Sequence, residues 1–405
     1  MNVKYRLAAF IYWLLALYGF SVHAQESPLS YSFRHLDLSD GLAGNHVSAI
    51  LQDRKGFIWI ASTALQRYDG SNLITIASFD KVPGSIYYDD ICLCEDKKGR
   101  IWIGAPDNIR YYDPVTSKVK VLKMDMLPIG TGNVYCSHII QDHAGIIWVT
   151  TQEGLYRYDE EAATFVIPKE IPATERAEMY SAIIEDKAGN LWLSGKQGIF
   201  MLSADRKHLY GKNNNPLHIP LLNSQTSVKQ FFIDSRERLW VAGRLGDTLY
   251  CYLPAQRQLK AWPFRINKPP EGNMVTDITE DKDKQIWVAT EQGGIYRYDE
   301  QAGNFHVNIR SNNDDDKRFH YDFEVNCFLN DRDGRLWIGT DRGLNILNPP
   351  DQAFRIMDQR DPDAKLPRAE VTGLFQDNTG NIYAGYWGKG FSWLTPSLQL
   401  RKQFL

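Results

Sequence analysis

The segment Asp142-His143-Ala144-Gly145-Ile146-Ile147-Trp148-Val149-Thr150-Thr151, followed after two residues by Gly154-Leu155-Tyr156-Arg157-Tyr158-Asp159, decides the fold. Asp142 to Gly145 reads as a tight turn, in which the Asp accepts backbone N–H bonds and the Gly is free to take positive φ. The stretch before it, Tyr135 to Gln141, is apolar on both faces, as an inner strand should be. Ile146 to Thr151 is a second strand carrying the Trp, Gly154 to Asp159 a third, and Thr164 to Pro168 a fourth. No amphipathic segment of helical period interrupts them. Four short antiparallel strands, with a Trp packing one unit on the next, make a β-propeller blade.

The same spacing, an Asp followed six residues later by Trp, recurs along the chain. The pairs are Asp53/Trp59, Asp96/Trp102, Asp142/Trp148, Asp186/Trp192, Asp234/Trp240, Asp281/Trp287 and Asp331/Trp337. An eighth copy, Asp377/Tyr383, has Tyr in place of Trp. A Gly stands three residues after the Asp in most copies, with Glu237 and Lys284 as the exceptions. Successive copies begin 43 to 50 residues apart, a period that means a propeller, solenoid or array.

Strand arithmetic predicts the blade count. One extra strand, Tyr31 to Leu36, precedes the first Asp–Trp unit and resembles an outer fourth strand. Pairing it onto the blade of Trp337 closes a ring of seven four-stranded antiparallel blades over residues 31–348 and removes the open edge. Residues 349–405 are then an eighth repeat unit, the opening of an incomplete second propeller. The alternative is a single ring of eight blades.

Composition bounds the function. The 405 residues carry 46 basic and 49 acidic side chains, a net charge of -3, so no long-range basic footprint for nucleic acid exists. Residues 1–24 read as a cleaved secretory signal peptide: Lys4 and Arg6, an apolar run from Leu7 to Phe20, then small residues Val22 and Ala24. A retained membrane anchor is the alternative, but the run is shorter than the ~20 residues a spanning helix needs. The mature chain is therefore expected in the periplasm or otherwise exported. The five cysteines, Cys92, Cys94, Cys136, Cys251 and Cys327, lack metal-site spacing and read as small apolar residues rather than bridges.

The core Asp-x-x-Gly-x-[Ile/Leu]-Trp-[Ile/Val]-[Gly/Ala]-[Thr/Ser], followed by Gly-[Leu/Ile]-Tyr-Arg-Tyr-Asp, resembles the two-component regulator propeller repeat. Asp142–Asp159, Asp281–Asp299 and Asp331–Leu344 carry it best, and the opening Phe33 to Leu42 is similar to the segment that begins such sensors. The resemblance implies the periplasmic input region of a bacterial hybrid two-component histidine kinase. Several members of that family sense oligosaccharides. The resemblance also implies further parts that this sequence does not show: a membrane helix, a phosphoacceptor His segment, an ATP-binding region and a DNA-binding domain. No kinase activity is expected of the chain as given.

No catalytic constellation stands out, and neither a cofactor nor a resident metal is expected. The repeat carboxylates Asp53, Asp96 and Asp142 read as turn formers, and His138 and His143 as structural. The run Asn312 to Asp316 reads as a solvated loop rather than a Ca²⁺ site. In a propeller the inter-blade connections and the loops between second and third strands share one face. Candidate ligand-binding residues there are Tyr87, Tyr88, Tyr135, Arg176, Tyr180, Arg244, Gln292, Arg318, Tyr321, Arg342 and Trp387. Aromatic faces that stack on sugar rings, with Arg and Gln bonding hydroxyls, suit a small soluble ligand such as an oligosaccharide. Trp59 and its counterparts, with Tyr383, are assigned to blade packing. The leading function is a sensor module without enzymatic activity, working with further sensor domains or a separate histidine kinase, with a homodimer as one arrangement. A protein-interaction scaffold, and then an exported polysaccharide lyase or hydrolase, are the alternatives.

Overall fold

The computed structural model describes residues 31–79, 91–105, 108–122, 135–169, 171, 180–224, 227–243, 248–263, 274–309, 318–347 and 366–404. They divide into two compact units, residues 1–348 and 349–405. Among the described residues the first unit holds seven four-stranded antiparallel sheets and the second holds one. We number the blades of the first unit by their Asp–Trp pairs in chain order.

Each inner strand packs against that of the next blade, and the inner strand of blade seven, Val325–Asn330, packs back on that of blade one, Ala49–Gln52. The ring is closed by a strand taken out of chain order. Phe33–Leu36 pairs with Gly343–Leu347, placing Phe33 opposite Leu347 and Leu36 opposite Leu344. This is the outer strand that the sequence places on the blade of Trp337. Gly343 sits at φ +93 directly against the Leu36 carbonyl, where a Cβ would collide with backbone.

The second strand of each blade is sandwiched between two neighbours, so both faces are apolar and buried. Ile147–Thr151, Leu239–Gly243 and Leu336–Thr340 are buried at every residue. Outer strands such as Lys118–Leu122 are largely exposed to solvent.

The Asp–Trp spacing has a direct cause. In every blade the indole N–H donates to the second carboxylate oxygen of the Asp, at 2.7 to 2.9 Å. The first oxygen meanwhile accepts turn N–H groups: Asp281 takes those of Asp283 and Gln285, both at 2.9 Å. The eighth copy keeps a weaker version, Tyr383 Oη to Asp377 at 3.2 Å. The two positions that lack Gly, Glu237 and Lys284, adopt the left-handed backbone anyway, at φ 62 and 63.

The blades are stitched at this end of the ring. The N–H after the Asp donates to a Glu or Gln one residue before the next blade's Asp: Arg54 to Glu95, Lys97 to Gln141, His143 to Glu185 and Ser235 to Glu280. Arg332 to Gln52, at 2.9 Å, carries the same stitch across the closure.

All five cysteines are unbridged. Cys92 and Cys94, two residues apart in a strand, pack on the same cluster around Trp102 and Ile139. Residues 312–316, read as a solvated loop, lie outside the described residues, as do residues 1–24.

The second unit has a small core of Ala384, Tyr386 and Leu394. Its first strand, Val371–Gln376, is exposed throughout, with Leu374 72% and Phe375 64% exposed. Burying two such side chains stabilises by about 1.5–3 kcal/mol each, a contribution this sheet forgoes.

Asp281→Asn presents an amide N–H₂ to groups that can only donate. It should cost about 1–3 kcal/mol, whereas the exposed neighbour Asp283→Asn should stay within about 0.5 kcal/mol in denaturant titration. Lys284→Gly removes left-handed strain and should raise stability by about 1 kcal/mol. Amide exchange should be faster in Val371–Gln376 than in the inner strand Val275–Glu280; equal protection would place the eighth sheet in a larger cooperative core.

Candidate functional site

The end of the ring opposite the Asp turns gathers the inter-blade connections and the loops between second and third strands. Backbone bonds tie the two sets together: Gln152 N–H to Tyr135, Glu291 N–H to Met274 and Asp341 N–H to Glu324. Loops that vary freely on a fixed frame are where binding is expected.

The clearest group on this face comes from blades six and seven. Tyr321 donates its hydroxyl to the Gln292 carbonyl at 3.5 Å. The Asp341 carboxylate accepts the N–H groups of Asp322 and Phe323 at 2.9 and 2.7 Å, which fixes that loop. Arg342 then reaches Asp322 at 3.2 Å. The Gln292 side chain is exposed, and Phe323 is 69% exposed. An amide, a guanidinium–carboxylate pair and an open aromatic ring thus stand on one patch.

Other predicted residues fall elsewhere. Tyr180 is not a loop residue: it opens the inner strand Tyr180–Glu185, is fully buried, and meets Phe200 edge to face at 6.1 Å. The Tyr321 ring is likewise buried, against Phe319 at 5.3 Å, leaving its hydroxyl as the polar contribution. Tyr135 is half-buried and Arg318 exposed. Trp387 is 78% exposed but belongs to the second unit. Tyr87, Tyr88, Arg176 and Arg244 lie outside the described residues.

Beneath the loop face runs a belt that sequence reading did not find. Most inner strands bulge near their start, as between Cys136 and His138 or Val275 and Asp277. The third residue of each such strand then faces the following blade. His138 Nδ1 lies 2.9 Å from the Ser181 carbonyl, and Nε2 lies 2.8 Å from Gln230 Oε1. Gln230 donates to Asp277 at 2.9 Å, and Asp277 accepts the Phe328 N–H of blade seven at 2.7 Å. Ala182, small and fully buried, holds this position in blade four, which lets His138 reach past it to blade five. Burial pushes the Asp277 carboxyl up to about 6, against its N–H donors. Cys327, at the same position in blade seven, is held protonated by burial and by the Asp277 charge.

Among the described residues no group of His, Cys, Asp and Glu is placed to hold a metal ion. Nor is any helix among them long and apolar enough to cross a membrane.

The two component regulator propeller model matches residues 41–64, 82–107, 269–292 and 324–342, within blades one, two, six and seven. No curated protein matches the chain. Among solved structures, the extracellular domain of a hybrid two component system (BT3049) from B. thetaiotaomicron is similar, with 21% identity and a TM-score of 0.64. The likeness covers 92% of this chain and 49% of that one, so the chain spans about half the length of that domain. A catalytically inactive virginiamycin B lyase from Staphylococcus aureus has 13% identity and a TM-score of 0.57, over 78% of this chain and 99% of that one. PorZ, a surface component of the type-IX secretion system of Porphyromonas gingivalis, has 15% identity and a TM-score of 0.53, over 85% and 51%. These likenesses establish the propeller fold. With those four stretches coinciding with Asp–Trp units of the ring, the chain carries two component regulator propeller repeats.

Proposed function

We propose that this propeller is the extracellular sensing module of a two component signalling system, and that its loop face receives a small soluble ligand, an oligosaccharide first among the candidates. The observation that carries the reading is the patch of Gln292, Arg342 with Asp322, and Phe323, presented on a ring of regulator propeller repeats. Sugar hydroxyls accept from the amide and guanidinium N–H groups and donate to the carboxylate, and the open ring stacks on a sugar face. The apolar N-terminal run with its small-residue cleavage pattern supports export. Signalling then requires further domains or a separate histidine kinase, and pairing of two copies is one way to transmit occupancy.

The module is read as non-enzymatic. A general base needs a free ring nitrogen within reach of substrate, and His138 has both nitrogens engaged by the belt. A scaffold that binds only protein would use the same face without a sugar preference.

A thermal-shift screen against soluble oligosaccharides of varied linkage tests the reading. At 100 times the dissociation constant, ligand adds about 2.7 kcal/mol to stability. A linkage-selective rise is expected, lost in Arg342→Ala and Gln292→Ala while their unliganded melting temperatures stay unchanged. No rise across the panel, or a rise that these variants retain, contradicts the assignment; cleavage of any of the glycans contradicts the non-enzymatic part.

A further inference from the structure

The hydrogen-bond directions along the belt fix where its protons are. A backbone carbonyl only accepts, so the His138 nitrogen facing Ser181, Nδ1, carries a proton. Asp277 accepts three N–H groups, from Ile278, Phe328 and the Gln230 amide, which is the pattern of an ionised carboxylate. Because the Gln230 NH₂ is turned to Asp277, its oxygen is turned to His138, so Nε2 carries a proton as well. Both ring nitrogens then donate, which only an imidazolium can do.

We infer that His138 and Asp277 are an ion pair relayed through the Gln230 amide, a proton-linked clasp that joins blades three to six. The chain is satisfied with one ionisable proton shared between its two ends. It sits as imidazolium and carboxylate in the observed arrangement. Rotating the amide instead gives neutral His138, protonated Asp277 and the same number of hydrogen bonds. Removing that proton leaves a bare Nε2 and a carboxylate at opposite ends of one amide, which can donate to only one of them. One link then breaks, whichever way Gln230 turns.

The surroundings set the limits of the window. Lys229 adds a favourable field to the carboxylate, while burial opposes it and pushes it up to about 6. The Cys327 thiol beside it stays protonated and contributes no charge. Asn326, next to Cys327, donates to the Val47 carbonyl at 3.1 Å and lies 3.4 Å from His46 Nε2, so His46 is a further titratable group beside this part of the ring. Below about pH 6 Asp277 takes up a proton, and the ion pair gives way from that side. Since its folded value lies above the ordinary carboxyl value of 3.8, the native state holds the extra proton between about 4 and 6. This group's contribution to stability is therefore present below about 4 and falls as pH rises through about 6. The inference holds whatever the chain binds and is independent of the sensing reading.

The test is ¹⁵N NMR of the histidine side chains in the folded chain, with His138 assigned by its loss in His138→Gln. At neutral pH both ring nitrogens of His138 should give imidazolium shifts. In Asp277→Asn, and in Gln230→Leu, the His138 titration midpoint should fall by about one pH unit or more. A neutral His138 with a single protonated nitrogen in the unaltered protein at neutral pH overturns the inference without recourse to any variant. A midpoint unmoved in a folded Asp277→Asn protein overturns the relay.

Discussion

The structure depends on the hydrogen bond between each repeat Asp and the indole N–H six residues later. A Trp buried to within a few per cent of full coverage must find its N–H a partner. A buried carboxylate in turn is tolerable only when its oxygens are satisfied. The six-residue spacing meets both needs at once: one oxygen closes the turn and the other holds the ring that packs between blades. Arg100, Arg238 and Arg335, four residues after their Asp, add a charge to the same oxygen and lie over the following Trp. In blade three the distant Arg206 takes that place over Asp142 and Trp148. Turn, strand and inter-blade packing are therefore set by one local motif, repeated.

With each blade fixed this way, closure needs only junctions. Five Asp-side junctions use a backbone N–H and the next blade's Glu or Gln, and the loop-side junctions use the belt of third-position residues. Short polar side chains complete it. Ser181 donates to the Val228 carbonyl and Thr276 to the Val325 carbonyl, while Asn326 carries the bond to Val47 across the closure. A frame held at both ends leaves the loop face free to vary, which is what a recognition surface requires. The eighth sheet lacks neighbours of this kind among the described residues of its unit, and its first strand presents apolar side chains to solvent.

Most of the fold was legible in the sequence because its signals are local and recur. The Asp–Trp register placed the sheets, and Tyr31 to Leu36 announced the closing strand through its outer-strand pattern. The belt was not legible one repeat at a time, since His138 and Gln230 are 92 positions apart and Gln230 and Asp277 are 47 apart. A signal existed nonetheless. Counted back ten residues from each Trp, the position reads Ala49, Cys92, His138, Ala182, Gln230, Asp277 and Cys327, so three polar residues interrupt a small apolar series. The same alignment would have corrected Tyr180, which stands where other blades carry Cys136, Val228, Val275 and Val325 and is a core residue. Tyr321, named from the sequence, shares its inter-blade connection with Asp322 and Phe323, which lie outside the recurring Asp–Trp core and so carry no repeat signal.

The most direct test of the Asp–Trp account is the hydrogen exchange of the indole N–H groups, followed in ¹H–¹⁵N spectra of the folded chain. Trp59, Trp102, Trp148, Trp192, Trp240, Trp287 and Trp337 should show slowly exchanging indole protons, against rapid exchange at the exposed Trp387. Repeat indoles that exchange as fast as that of Trp387 in a folded protein would contradict it.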